Sequence, residues 1–167
     1  MRSFKALRRD RTGAAAIEFA LLALPFFLSV FAILDVAIMY FVDSGLDAAL
    51  EKSARQVRVG EATDWELGTF KEAVCEQVAF SFDCSEELLV RASVISDMSS
   101  VAMASVISGG VLSVTEAFDV GESGDYVLIQ AYLPFTPALP FYTYSTSKLD
   151  DGRYVLGATQ IFKNEPF

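Results

Sequence analysis

The sequence contains no histidine. That removes the usual general base and the commonest metal-ligating side chain, so neither a Ser-His-Asp nor a Cys-His catalytic set can form. Cysteine is almost as scarce. Cys75 and Cys84 stand alone, and their spacing is not the C-x-x-C of redox or metal motifs. No catalytic residue, cofactor site or metal site emerges, and the string GESGD reads as a turn. Positive charge is scarce too, except at the start. Arg2, Lys5, Arg8, Arg9 and Arg11 crowd the first thirteen residues against one acid, Asp10. Without that leader, 8 of the 13 basic and 21 of the 22 acidic residues remain, a net charge of −13. So acidic a body lacks the basic patch that nucleic-acid binding needs. At 167 residues the chain has room for one domain plus an anchor.

What is abundant is apolar sequence in one place. Phe19 to Val42 reads FALLALPFFLSVFAILDVAIMYFV, broken by a single charge, Asp35. As a helix this run is about 36 Å long, enough for a ~30 Å hydrocarbon core with some tilt. A cleaved secretory signal has a shorter apolar region ending at an A-x-A site. Here the run continues through Met39, Tyr40 and Phe41, and no such site follows. A retained transmembrane helix is expected over 14–42. The basic leader, 1–13, then stays in the cytoplasm, and the chain beyond Asp43 lies outside. Pro25 removes one helical hydrogen bond and should bend the rod. Asp35 is a candidate intramembrane contact, because a buried charge in lipid is costly. The alternative is a place near the outer boundary with access to water.

The junction before the run is the informative motif. Thr12-Gly13 is followed by Ala14-Ala15-Ala16-Ile17-Glu18-Phe19. Gly13 has no side chain to keep the backbone out of a protease cleft. The alanines let a helix begin at once. Glu18 falls in the first turns, at the positive end of the helix dipole. Inside lipid its carboxylate costs ~2.5–3.5 kcal/mol or more unless it meets a cation. On spacing alone, Glu18 at the membrane interface and an ordinary flexible Gly13 explain the same residues. The stretch GAAAIEFALLALPFF, however, resembles the TadE-like family of the tight adherence (Tad) system, which builds Flp-type pili. The resemblance implies cleavage between Gly13 and Ala14 by a prepilin peptidase. It also implies pairing of Glu18 with the new α-ammonium of Ala14 on a neighbouring subunit.

The exported part reads as a helix extension, 43–60, and an α+β domain, 61–167. Leu46, Leu50, Ala54 and Val57 recur at helical spacing, Glu51 and Arg55 are placed for an i,i+4 pair, and Gly60 is a stop. A second helix is expected from Thr63, with Glu66 completing a capping box and Leu67, Phe70, Val74 and Val78 as its buried stripe. Cys75 and Cys84 suit a disulfide on the exported side, with buried free thiols as the alternative. Leu88 to Ile95 reads as a strand. The Ser-rich stretch 97–110 reads as loop or short helix. Val111 to Phe118 and Tyr126 to Phe135 read as a hairpin around GESGD. Pro134, Pro137 and Pro140 force a loop. Asp150-Asp151-Gly152 reads as a turn, and Arg153 to Phe162 as the last strand. Tyr142 and Tyr144 are either an exposed aromatic surface or core. The fold class expected is α+β: a long N-terminal transmembrane helix, continuing outside the membrane, packed on a small antiparallel sheet.

The closing Asn164-Glu165-Pro166-Phe167 also resembles the C-terminus of TadE-like proteins, with Lys163 where an arginine is common. The long exported domain and Glu18-Phe19, where major Flp pilins show Glu-Tyr, point to a minor pilin or pseudopilin. The resemblance implies a single-pass inner-membrane protein with its domain in the periplasm. Its expected partners are the prepilin peptidase, other Tad pilins or pseudopilins, the inner-membrane assembly platform and the membrane itself. The alternative is an unprocessed, membrane-anchored periplasmic scaffold.

Overall fold

The computed structural model describes residues 13–78, 83–96, 106–138 and 148–166. The leader before Gly13, most of the Ser-rich stretch, Pro140, Tyr142 and Tyr144 lie outside the described residues. One helix, α1 (Ala14–Arg58), runs unbroken for 45 residues through Pro25. The Ser29 hydroxyl donates to the Pro25 carbonyl at 2.8 Å. The helix stops where expected. Gly60 takes φ 81° and donates to the Val57 carbonyl, while Val59 donates to that of Arg55. This left-handed glycine just past the last turn closes the helix.

Two short helices follow, α2 (Leu67–Cys75) and α3 (Cys84–Glu87). The α2 start departs from expectation. Thr63 does not cap a helix, because its hydroxyl donates back to the Gly60 carbonyl at 3.2 Å and the chain stays in turns to Asp64. Glu66 is the residue before the first turn, with no side-chain cap. Phe70 and Val74 are buried as the stripe requires, and Val78 is buried just beyond the helix end. Cys75 and Cys84 form a disulfide with Cα atoms 5.7 Å apart, joining the end of α2 to α3.

The sheet contains β1 (Leu89–Val94), β4 (Ala117–Phe118), β5 (Tyr126–Phe135) and β6 (Tyr154–Lys163), in the order β4-β1-β5-β6. β5 pairs antiparallel with β1 on one side and with β6 on the other. The expected hairpin of 111–118 with 126–135 is therefore wrong. β4 instead pairs parallel to β1, Arg91 opposite Ala117. The two edges of β5 are already taken by longer partners. Val111–Leu112, labelled β3, pairs with β2 (Ile107–Ser108) across Gly109-Gly110. Both glycines have positive φ, 58° and 74°, as a two-residue hairpin turn demands. The GESGD segment is a turn, but one that carries the chain across the end of β1.

The inner sheet face carries Val90, Ala92, Val127, Ile129, Ala131, Leu133, Leu156 and Ala158, all buried. Against it lie Val42, Leu46, Ala49, Leu50, Ala54 and Val57 of α1 and Phe70 of α2. The fold is α+β, as expected, with the upper half of α1 as its main helical layer. Lys71 and Glu116 close the α2 side, Nζ to Oε1 at 2.9 Å, and the same oxygen accepts the Val90 amide at 3.2 Å. Glu51 and Arg55 form no ion pair among the described residues. On the same helix, partial burial and the Asp47 carboxylate one turn on push the Asp43 carboxyl above its ordinary value. A raised carboxyl opposes folding while ionised, and that opposition fades as pH falls through the raised value.

Leu50→Ala should cost about 2–5 kcal/mol of stability, since a fully buried aliphatic leaves a cavity at the helix–sheet contact; thermal unfolding of the purified protein measures it. Asp43→Asn should raise the midpoint at neutral pH and make no difference in acid. An equal gain at both pH values would contradict the assigned cause.

Candidate functional site

Along the lower part of α1 most side chains are exposed among the described residues. Phe19 is 71% exposed, and Leu21, Leu22, Leu24, Phe26, Phe31 and Ile33 are also exposed. Exposed apolar surface on this scale is unstable in water and marks a lipid or protein contact. The helix is long and apolar enough to cross a membrane. Gly13 precedes the first helical residue, and its carbonyl accepts the Ile17 amide at 3.2 Å. Glu18 is exposed on the first turns of the apolar part. Among the described residues it forms no ion pair.

Asp35 is where the helix changes environment. It is only 5% exposed, and its Oδ1 accepts the backbone amide of Ala138 at 2.9 Å. Ala138 lies just past the end of β5. Asp35 begins a stripe, continued by Met39, Val42, Leu46, Leu50, Ser53 and Val57, that faces the body at three- and four-residue steps. The sheet lies along this stripe. β5 ends beside Asp35, and the segment after β6 reaches the far end of the helix, where the Glu165 amide donates to the Arg58 carbonyl at 2.9 Å. A ten-residue strand spans about 33 Å, and the helix from 35 to 58 about 35 Å. Helix and strands therefore run side by side over their whole shared length. Below Asp35, residues 14–34 make about 31 Å of helix, the thickness of a hydrocarbon core. Asp35 thus joins neither a lipid-facing nor a water-facing surface; it binds the body.

The C-terminal residues build the opposite end. Asn164 is buried and donates from Nδ2 to the carbonyls of Val120, 2.8 Å, and Glu122, 3.0 Å. Its amide donates to Asp125 at 2.9 Å, and its carbonyl accepts from Gly124 at 3.3 Å. Four bonds thus lock the turn over β1 onto the end of β6. That turn needs glycine at 121, where φ is 64° and an added Cβ would come within 3 Å of Val94 and Asp125. Glu165 also pairs with Arg58, Oε1 to Nε at 3.2 Å. At the Asp35 end, Arg153 reaches Glu87 and Asp151, and its backbone amide, then its side chain, holds the Asp151 carboxyl below its ordinary value. Sequence reasoning treated Asn164 and Glu165 only as a likeness to other chains. Polar residues bounded by an apolar strand and a proline were the available signal for a structural clamp.

Among the described residues no group of three or more cysteines and carboxylates is placed to hold a metal ion. What the arrangement offers is a bare apolar rod with one carboxylate near its start, carrying a tightly docked body. Residues 13–55 match the family model for TadE-like protein. The TadE-like segment begins at Gly13 and takes in Glu18, Asp35 and most of the docked stripe. A search of the curated proteins and one of the solved structures gave no match.

Asp35→Ala should loosen the lower contact by about 1–2 kcal/mol, the worth of a hydrogen bond to a charged acceptor less what water restores. Amide hydrogen exchange at Ala138 should quicken, while Asp35→Asn, which keeps a carbonyl acceptor, should change it little. Asn164→Ala should cost about 2–3 kcal/mol, because the Val120 and Glu122 carbonyls lose their donor; chemical denaturation measures it.

Proposed function

We propose that the chain is a minor pilin or pseudopilin of a Tad system that supports assembly or initiation of a Flp-type pilus, used in adherence and secretion. Its work is binding rather than catalysis. A prepilin peptidase cuts after Gly13 at the cytoplasmic face of the inner membrane. Residues 14–34 then span the bilayer, and the body, from Asp35 on, lies in the periplasm. The α-ammonium of Ala14, created by the cut, meets Glu18 of a neighbouring pilin or pseudopilin. That pairing offsets the cost of a carboxylate in lipid and favours one register between helices.

The observation that carries the reading is the coincidence of three things at one place. The TadE-like match starts at Gly13, helix α1 starts at Ala14, and Glu18, five residues after the glycine, is exposed with no ion pair among the described residues. A plain anchor needs none of these to coincide. Two measurements separate the readings. Intact mass of the membrane-extracted protein, from cells holding the peptidase, should correspond to a chain beginning at Ala14. Glu18→Ala should leave expression and cleavage normal and abolish or sharply reduce piliation. A mass retaining the leader, with Glu18→Ala cells fully piliated, would leave the unprocessed scaffold as the better account.

A further inference from the structure

β6 is an edge strand. Among the described residues its outer edge is paired only at Tyr154, through the bridge to Lys148. Towards its far end, Gln160, Ile161 and Phe162 form one wall of a groove of about 450 Å³, and α1 forms the other. An unpaired strand edge carries a row of amide and carbonyl groups that can template another strand. Natural edges are usually blunted by proline, by inward charge or by a bulge. β6 has no proline, and Lys163 at its end is its only charge.

The helical wall is basic. Lys52, Arg55 and Arg58 line it, opposed there by Glu51 alone. The chain after the leader has only eight basic residues within a net charge of −13. Of the others, Lys71 is paired with Glu116, and Arg153 with Glu87 and Asp151. Arg58 is paired with Glu165, whereas Lys52 and Arg55 form no ion pair among the described residues. Five of the eight basic residues form no ion pair among the described residues, and two of the five, Lys52 and Arg55, stand one turn apart beside the open edge.

We infer that this groove takes an extended acidic segment of a partner protein, added as a strand to the Gln160–Phe162 edge with its carboxylates on Lys52 and Arg55. The strand edge supplies backbone hydrogen bonds, and the basic wall selects the sign of charge. A second copy of this chain fits poorly. In one membrane every copy runs β6 in the same direction, which rules out antiparallel pairing of β6 with β6. Its β6 also brings Lys163 and no acid. The inference goes beyond the pilin reading and needs neither cleavage nor Glu18.

The test uses the full-length protein in detergent micelles and a fluorescently labelled peptide of alternating valine and glutamate, followed by anisotropy. Saturable binding is expected, and a valine–lysine peptide should not bind. Lys52→Glu with Arg55→Glu should weaken binding about tenfold or more. Two further peptides carry backbone N-methyl groups on alternate residues, one in each phase. A strand on this edge turns every second amide towards β6, so one phase should abolish binding and the other keep it. Failure of the glutamate peptide to saturate, equal binding of the lysine peptide, or an equal effect of the two methylated phases overturns the inference. So does full binding by a folded double variant. The peptide comparisons use the unaltered protein and remain decisive if the variant does not fold.

Discussion

One rigid helix has to satisfy two solvents, and every other feature of the chain follows from where it changes from one to the other. Between Glu18 and Asp35 the surface of α1 is apolar on all sides, which only lipid or other helices can cover. Above it, a single stripe is buried and the other faces carry Asp43, Asp47, Glu51, Lys52 and Arg55. The change happens at a carboxylate. Asp35 would be costly in hydrocarbon and ordinary in water, but here it accepts an amide from the loop after β5. A polar group that must be bound by the body fixes the height of the body on the rod.

The two ends of the body are fastened by different chemistry. At the lower end a side chain of the helix captures a backbone amide of the loop after β5. At the upper end the direction is reversed: Asn164 and Glu165, after the last strand, capture the turn over β1 and the end of the helix. Between the two fastenings lies the apolar contact of α1 with the inner face of the sheet, whose interdigitated side chains give it both cohesion and shape. Polar fastenings at both ends add direction to that packing, since each needs one donor and one acceptor in place. The Cys75–Cys84 bridge adds a third constraint on the α2 side.

Much of this was legible in the sequence. The apolar run, the stripe Leu46, Leu50, Ala54, Val57 and the stop at Gly60 each carry a signal that neighbouring residues reinforce. Strand pairing was less legible. Val111 to Phe118 and Tyr126 to Phe135 are separated by a glycine-rich turn, and local rules pair such neighbours. The actual partners of β5 are distant in sequence, β1 on one side and β6 on the other. Nothing local records that the longer partners win, because the competition is between buried areas that only the assembled sheet defines. Thr63 and Glu66 show the same limit: the spacing of a capping box is present, but the preceding glycine turn claims the threonine hydroxyl. Asp35 is a subtler case. Its two sequence readings are a contact in the membrane and a place near the outer boundary with access to water, and the helix alone contains no hint of the amide supplied from a loop over a hundred residues later.

The docking of body to rod also bears on how Glu18 would meet a neighbour. Glu18 and Asp35 are seventeen positions apart, and at 3.6 residues per turn that places Glu18 about 100° round the helix from the face bound to the body. The carboxylate therefore points to the flank of the subunit, not beneath its own domain. In the proposed assembly a partner helix approaching Glu18 comes alongside the body rather than under it, so the bodies sit side by side as the helices pack. Because α1 is held to the sheet along about 35 Å, a helix turned to present Glu18 turns the body with it. A charge pairing near the start of the helix would in this way set which flank of the body faces the next subunit, with no contact between the bodies required to choose it.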